Sequence, residues 1–415
     1  MIFSLFYDLI LLLIGLVALP KLLWQCFRLG KYRSSFKARF GLGLPPIENV
    51  DIWIHTISVG ETRAALPLFK ELKKNYPQAK IIISNITETG HAEAKRSMKD
   101  ADAHFFLPLD FSFIIKKAIK KFRPKLLILV ESDFWYNLLK STKKSGAKIA
   151  LVNGKISERS FKRFMLLPFF RHPLFSLIDC FCLQSETYAE RFLKMGIPQE
   201  KIHVTGNMKF DIPVKKLTLE EISTWKADLG ITPEDRVIVI GSTHDPEEEW
   251  LLAALKEIPK LKIILVPRHP ERFSKIRTMS DLAYSERAHK TGKERVILID
   301  AMGHLNSLYQ LADIAIVAGS FVTHIGGHNV FEPANFGIPV LFGPHMFTQT
   351  DLTTAVLTCG AGLQVTLETL PSTVKDLLSD PQKRQAMHLA GLKLADSSRG
   401  SSHKTFETIK TLVNK

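Results

Sequence analysis

The chain is poor in cysteine, and none of its cysteines is paired in sequence. Cys26, Cys180, Cys182 and Cys359 are the four, and no C-x-x-C spacing occurs. That argues against a zinc ribbon and a disulfide framework, and favours reduced thiols in a cytosolic compartment. Cys180 and Cys182 would share one strand face without bridging easily. No D-x-D pair stands out as a Mg²⁺ site. His244, His269 and His328 fall on separate loops without ligand spacing, so no metal is expected. Also missing are internal repeats, low-complexity tracts and any recognised nucleic-acid module, so no nucleic-acid partner is expected. The amino terminus has no basic n-region and no small-residue cleavage site, which argues against a signal peptide.

What is present is a globular composition. The 415 residues are 46% hydrophobic and 23% charged, a length that suits two domains of roughly 150–200 residues. The net charge of +15 is unevenly spread. Residues 1–206 carry 32 Lys+Arg against 17 Asp+Glu, and the remainder carries 24 of each. A basic half attracts anionic headgroups or a phosphorylated substrate; the alternative is a solvated surface that is merely basic.

Ile2 to Leu19 are almost wholly apolar, with Asp8 the one charge. Eighteen helical residues span about 27 Å, close to the hydrocarbon core of a bilayer. Lys21, Arg28, Lys31, Arg33, Lys37 and Arg39 follow, which places that flank in the cytoplasm. The segment is expected to be a membrane anchor over 1–30, spanning or only dipping in, since Asp8 disfavours a full span. A buried core helix is the alternative.

From Asp51 onward, apolar runs rich in Val and Ile alternate with helical patterns. Expected strands are Ile52–Ile57, Lys80–Ile86, Leu126–Glu131, Lys148–Asn153 and Cys180–Gln184, then Val237–Gly241, Lys262–Val266, Val296–Asp300, Ile314–Gly319 and Pro339–Phe342. Strands without polar alternation are buried on both faces, as in parallel sheets. The expectation is therefore an α/β chain of two Rossmann-like domains, 31–208 and 209–415, with the last helix free to pack back on the first. Ligands of such sheets sit outside the carboxyl ends of the strands.

The motifs lie at those ends. Gly319-Ser320, then Ile325-Gly326-Gly327-His328-Asn329-Val330-Phe331-Glu332-Pro333-Ala334, follow a strand and lead into a helical pattern. Glycines and a helix start suit a phosphate, and Glu332 suits two ribose hydroxyls; a plain turn would also explain the glycines. Ser58-Val59-Gly60-Glu61 follows the first strand. Glu61 at a helix start is a candidate general base, or simply an acid favoured by the helix dipole. Glu131 ends a buried strand, where it would position Glu61, bind acceptor hydroxyls or cap the strand. Arg268 and His269 in Pro267–Pro270 are candidate nucleotide contacts. Ser242 and Thr243 either reach substrate or cap the helix through Glu247. Arg159–Ser176 interleaves basic and aromatic residues, as a membrane-surface patch or a core helix would, and Pro168 and Pro173 break it.

In order, the strings HTISVGE, NITETG, LVESDFW, VNGKISERS, QSE, VTGNMKFD, GSTHDPEE, PRHPER, IGGHNVFEPA and FGPHMF resemble the Kdo (3-deoxy-D-manno-octulosonic acid) transferases of lipopolysaccharide synthesis, over nearly the whole chain. The resemblance implies a GT-B glycosyltransferase fold with CMP-Kdo as donor and the lipid A precursor as acceptor. It implies inversion without metal or other cofactor, at the cytoplasmic face of the inner membrane. Glu61 falls on the family's general base. Glu332, Arg268 and the loop carrying Gly319, Ser320, Gly326, Gly327 and Asn329 fall on its CMP site, with His269 alongside. Ser58, Gly60 and Ser242 are expected beside substrate, Glu131 beside the base, and Lys209 and Arg159 near the sugar carboxylate. Tyr136 stands where proline is common, Lys155 where arginine is frequent, and Ala318 where glycine precedes Gly319. Rival readings are a sugar-nucleotide epimerase, a transferase of another sugar, and a non-catalytic protein that binds phosphorylated lipid.

Overall fold

A computed structural model describes residues 2–29 and 35–413. The chain divides into two compact units, residues 1–213 with 398–415, and 214–397. The junction lies five residues beyond the expected 208/209 boundary, because Met208–Asp211 forms a 3-10 turn that packs within the first unit.

The first unit is built on seven parallel strands: β1 (Ile52–Thr56), β2 (Ile81–Asn85), β3 (Ala103–Phe106), β4 (Leu126–Val130), β5 (Lys148–Gly154), β6 (Cys180–Leu183) and β7 (Ile202–Val204), in the order 3-2-1-4-5-6-7. Every residue of β1, β2 and β4 is buried. Their side chains alternate between two cores. Trp53, Ile82, Leu127 and Leu129 enter one, and Ile52, Ile54, Ile81 and Ile128 enter the other. Each such aliphatic side chain contributes about 1.5–3 kcal/mol of burial. Cys180 and Cys182 share a face as expected, with sulfurs 3.8 Å apart and unbridged.

The last helix, Ser401–Val413, belongs to this unit. Asp211 accepts from the amides of Gly400 (2.7 Å) and Ser402 (2.5 Å), capping its start. Phe406 and Ile409 fill the core beneath. Gly206, at φ +92°, lies under that start, and a Cβ there would fall 2.4 Å from the Ser401 hydroxyl.

The amino-terminal helix runs Ile2–Leu29. Among the described residues, no helix is long and apolar enough to cross a membrane. The basic flank at Lys31 and Arg33 lies outside the described residues. One face of the helix packs on the first unit. Phe3 meets Tyr136 edge-on at 4.6 Å, and Tyr7 lies 5.5 Å from the same ring. Asp8 accepts from Asn137 Nδ2 (2.7 Å) and from the Ser112 amide (3.0 Å), which starts the helix Ser112–Phe122. The one charge of the apolar segment thus caps a neighbouring helix whose own N-cap residue, Phe111, offers no side-chain bond. Beside it, burial pushes the Asp110 carboxyl up to about 7. Leu5, Leu9, Leu13, Ile14, Leu16 and Val17 remain exposed.

The second unit repeats the plan with β8 (Arg236–Thr243), β9 (Leu261–Pro267), β10 (Leu282–Ala283), β11 (Val296–Leu298), β12 (Ile314–Val317), β13 (Val340–Phe342) and β14 (Gly362–Gln364), all parallel, in the order 10-11-9-8-12-13-14. Both units are thus α/β sheets wound in the Rossmann manner.

Candidate functional site

In the first unit the candidate residues converge at the carboxyl ends of β1, β4 and β5. Ser58 is extended (φ −121°, ψ 171°) and caps the helix Val59–Asn75, accepting from the Glu61 amide at 3.4 Å. The Glu61 carboxylate turns back past the cap to accept from the Ile57 amide at 2.6 Å, which holds it at the end of β1. Burial pushes Glu61 up to about 8. The Ile57 amide opposes that shift, the charges of Glu131 and Asp133 add to it, and Lys155 opposes it. Glu61 is thereby set near neutrality, where proton transfer is effective. Gly60 is exposed, and a Cβ there would meet only an ordinary contact at 3.8 Å. The fold does not require glycine at that point, and the surface beside Glu61 is left bare.

Glu131 follows β4 in the left-handed region at φ +68° and is buried. Lys155 reaches one carboxylate oxygen at 2.6 Å and Lys209 the other at 2.7 Å. Burial pushes this carboxyl up, but the two ammonium groups outweigh it and hold it below the usual range. Glu131 is therefore a fixed anion in an ion triad and not a proton shuttle. Lys209, expected near a sugar carboxylate, spends its charge on Glu131. Arg159 is exposed in the helix Glu158–Leu166 and, among the described residues, joins neither this triad nor Glu61. Its segment breaks at Leu167 into Glu158–Leu166 and Pro168–Phe175, with Pro168 starting the second helix and Pro173 inside it without interrupting it.

A buried relay beneath β1 was not singled out from sequence. The Trp53 indole donates to Ser84 Oγ (2.7 Å), Ser84 meets His55 Nδ1 (2.8 Å), and His55 Nε2 meets Asp133 at 2.5 Å. Ser84 and His55 have no exposed surface, so this Ser-His-Asp set offers no nucleophile to a substrate. The available signal was a histidine inside an otherwise apolar strand, a polar group that burial obliges to find partners.

In the second unit the glycine loop differs from the expected phosphate cradle. The amides of Gly319 (2.8 Å) and Phe321 (3.0 Å) donate to the carboxylate of Glu247, which also accepts from the His244 amide (2.9 Å). Those donors are spent inside the protein. Glu247 has no exposed surface, and burial raises its carboxyl despite the three amides. Ser320 is buried too, donating to Val317 O (2.6 Å) and accepting from the Gly343 amide (2.8 Å), so its hydroxyl ties β12 to the loop after β13. Gly326 and Gly327 sit at φ +89° and +81°, and Cβ atoms there would come within 2.5 Å of Thr348 and 2.2 Å of Met346. These glycines serve the packing of their own loop.

The helix after the loop is a single turn, Phe331–Ala334, shorter than expected, with Glu332 in it. Asn329 accepts from the Phe331 amide (3.0 Å) and approaches Glu332 at 3.4 Å. Ser242 lies on β8 at φ +62°, and the helix Glu247–Ala254 carries no side-chain cap from Ser242 or Thr243. Arg268 and His269 are exposed just after β9.

Three histidines separated in sequence are gathered here. His244 and His328 stack with ring nitrogens 2.8 Å apart, and His269 meets His244 edge-on at 5.1 Å. Burial, then mutual repulsion and nearby arginines, pushes His244 down to about 4 and His328 to about 3. The three loops come together because each follows a strand of the same sheet, β8, β9 and β12. Among the described residues, no group of three or more His, Cys, Asp or Glu side chains is placed to hold a metal ion.

Known proteins resemble the chain along its whole length. The sequence pattern of the family described as 3-deoxy-D-manno-octulosonic-acid transferase (kdotransferase) matches residues 34–212, and that of UDP-glucuronosyl and UDP-glucosyl transferases matches residues 317–396. A 3-deoxy-D-manno-octulosonic acid transferase of Chlamydophila psittaci is 35% identical over 98% of this chain and 96% of its own. The enzyme of the same name from Haemophilus influenzae is 32% identical over 93% of each. Among solved structures, UDP-GlcNAc 2-epimerase from Neisseria meningitidis aligns with a TM-score of 0.61 at 14% identity, covering 87% of this chain and 99% of its own. At that identity the likeness concerns the fold alone.

Proposed function

The chain belongs to the 3-deoxy-D-manno-octulosonic acid transferases and is a glycosyltransferase of lipopolysaccharide biosynthesis, and from that premise we propose that it transfers Kdo from CMP-Kdo to a lipid A precursor, with Glu61 as general base. The observation that carries this reading is the Glu61 carboxyl, tied to Ile57 at the end of β1 and raised by burial to about 8. A base so poised takes the proton of an attacking sugar hydroxyl as the anomeric bond to CMP breaks. No metal enters this scheme.

The donor is assigned to the second unit. Arg268 is exposed and able to pair with the CMP phosphate, and Glu332 is assigned to the ribose hydroxyls. The Gly319 and Phe321 amides are already used by Glu247, so the charge of the leaving phosphate falls to Arg268 rather than to those amides. The basic excess of residues 1–206 supports an acceptor carrying phosphate on the first unit. The exposed apolar face of Ile2–Leu29, together with Leu166 and Phe169, supports attachment to the cytoplasmic surface of the inner membrane, where the acceptor's acyl chains lie.

The test is mass analysis of the product formed from purified lipid A precursor with CMP-Kdo, in parallel with UDP-sugars. A product heavier by one or more Kdo residues, from CMP-Kdo alone, is expected. Transfer from a UDP-sugar, or binding to lipid vesicles without turnover, would overturn the donor assignment or the catalytic reading respectively.

A further inference from the structure

One string of the sequence, Asn85-Ile86-Thr87-Glu88-Thr89-Gly90, has no part in the chemistry described so far. It joins the end of β2 to the helix Glu88–Ser97. It lies against the turn Ile57-Ser58, which leads from β1 into the helix Val59–Asn75 that carries Glu61. In that turn the Ile57 amide donates to the Glu61 carboxylate at 2.6 Å. The place of residue 57 therefore sets the place of the carboxylate.

Both carbonyls of the turn are held from this string. Thr87 gives Ile57 O two donors, its hydroxyl at 2.8 Å and its amide at 3.0 Å. The same hydroxyl accepts from the Gly90 amide (3.1 Å) and so caps its own helix. A second path starts at Asn85, whose Nδ2 donates to Thr56 Oγ1 (2.7 Å). Thr56 meets Thr62 Oγ1 (2.9 Å), and Thr62 donates to Ser58 O (2.9 Å). A hydroxyl has one proton to give. Thr62 gives its own to Ser58, so Thr56 is the donor between the two threonines, and the path runs one way from Asn85 to the turn. Asn85, Thr56 and Thr62 have no exposed surface, so they touch no substrate. Asn85 Oδ1 has no partner among the described residues, a desolvation cost that an aliphatic side chain would avoid. An aliphatic side chain, however, could not hold a carbonyl. Gly90 permits the approach. Its backbone is helical, and a Cβ there would lie 2.8 Å from Thr87 Oγ1, 2.9 Å from Ile57 O and 3.1 Å from Ser58 C.

We propose that Asn85, Thr87 and Gly90 brace the turn that places Glu61, and that Thr87 is thereby a positioning residue of the transfer reaction. The inference rests on Glu61 being the base. Thr87 holds the Ile57 carbonyl, and the Ile57 amide holds the carboxylate. Proton transfer needs the base within hydrogen-bond reach of the attacking hydroxyl, and a misplacement of about 1 Å costs up to about 10²-fold in rate. A loosened turn thus slows the chemical step and leaves the donor, assigned to the second unit, bound as before.

The experiment is steady-state transfer by the full-length enzyme with CMP-Kdo varied, for Thr87→Val, Thr87→Ser and Gly90→Ala beside the natural protein, with thermal unfolding of each. Thr87→Val keeps the shape and removes the hydroxyl. Its kcat is expected to fall about tenfold while the donor KM stays within about twofold. Thr87→Ser returns the hydroxyl and is expected to recover kcat to within about twofold of the natural value. A residue that served only as a helix cap would lower the unfolding temperature without separating kcat from KM. Gly90→Ala keeps the Thr87 hydroxyl and raises helix propensity, yet pushes the string off the turn. It is expected to lower kcat about fivefold at unchanged donor KM, and it decides the matter if Thr87→Val does not fold. An unchanged kcat in every folded variant overturns the proposal, as does a loss in Thr87→Val that Thr87→Ser does not recover. Full activity in Glu61→Gln would instead overturn the assignment of the base, a separate outcome.

Discussion

Glu131→Gln removes one charge from a triad and leaves the other two facing each other. Glu131 is 5% exposed, and its lysine partners keep 28% and 18% of their side-chain surface. Removing one member of a buried ion pair costs about 3–5 kcal/mol. Because both lysines retain some water here, the cost falls below that range, to roughly 2–3 kcal/mol. For a unit of this size each kcal/mol moves Tm by about 2–4 °C, so a fall of roughly 4–12 °C in the unfolding of the first unit is expected. The triad also acts on Glu61. The substitution deletes a charge that raises Glu61 while leaving Lys155, which lowers it. Glu61 then ionises below its present value of about 8, and the acid limb of the pH profile follows it down. Thermal unfolding followed by tryptophan fluorescence, with Lys209→Gln as the second arm of a double-mutant cycle, reads both effects. A coupling of about 0.5–3 kcal/mol between the two sites is expected. An unchanged Tm together with an unmoved acid limb would refute the ion-triad account.

Other expectations follow from the same geometry. Glu61 carries the proton below about pH 8 and the catalytic lone pair above it, so kcat/KM should rise with pH through that region; a profile flat from pH 6 to 9 would contradict this. Gly327→Ala should destabilise the second unit by about 1–3 kcal/mol, since φ is +81° and the new Cβ meets Met346 Sδ at 2.2 Å; a neutral result in thermal unfolding would return this glycine to a ligand role. Glu247→Gln replaces one acceptor oxygen with a donor facing the loop amides, and should cost about 2 kcal/mol and weaken CMP binding in calorimetry; unaltered affinity would mean that the loop is held without it. Asp8→Leu should release the start of the helix Ser112–Phe122 at a cost of about 1 kcal/mol, seen as faster amide exchange at Ser112; unchanged exchange would deny that Asp8 caps it.

The sequence exposed the central strands and hid the edges. All ten strands read from apolar runs are present, and the four not foreseen, β3, β7, β10 and β14, are the two outer strands of each sheet. An edge strand is covered on one side only and is short. β7 has two exposed residues of three, and β10 is two residues long, so neither writes the continuous apolar run by which buried strands are found. Motif position at strand ends drew attention to Glu61 and Glu131, but not to who pairs with whom. Linear spacing carries no information about partners that come from different loops. That is why the Lys155–Glu131–Lys209 triad, the gathering of His244 with His328, and the use of the Gly319 amide by Glu247 were not legible. Two departures from the family pattern also gain a physical meaning. Lys155, in place of a frequent arginine, supplies one arm of the triad. Tyr136, in place of a common proline, is the ring on which Phe3 and Tyr7 of the amino-terminal helix pack. Asp8 read as an obstacle to membrane insertion, whereas the structure uses it as a cap.

The most direct measurement is single-turnover transfer from CMP-Kdo by Glu61→Gln, with CMP affinity measured on the same preparation. Loss of general-base catalysis should slow the chemical step by about 10²–10⁴-fold while CMP binds as tightly as before. Transfer within a few-fold of the natural rate would mean that the proton leaves by another route, and that a partly buried carboxyl at the end of β1 is part of the scaffold and not of the chemistry.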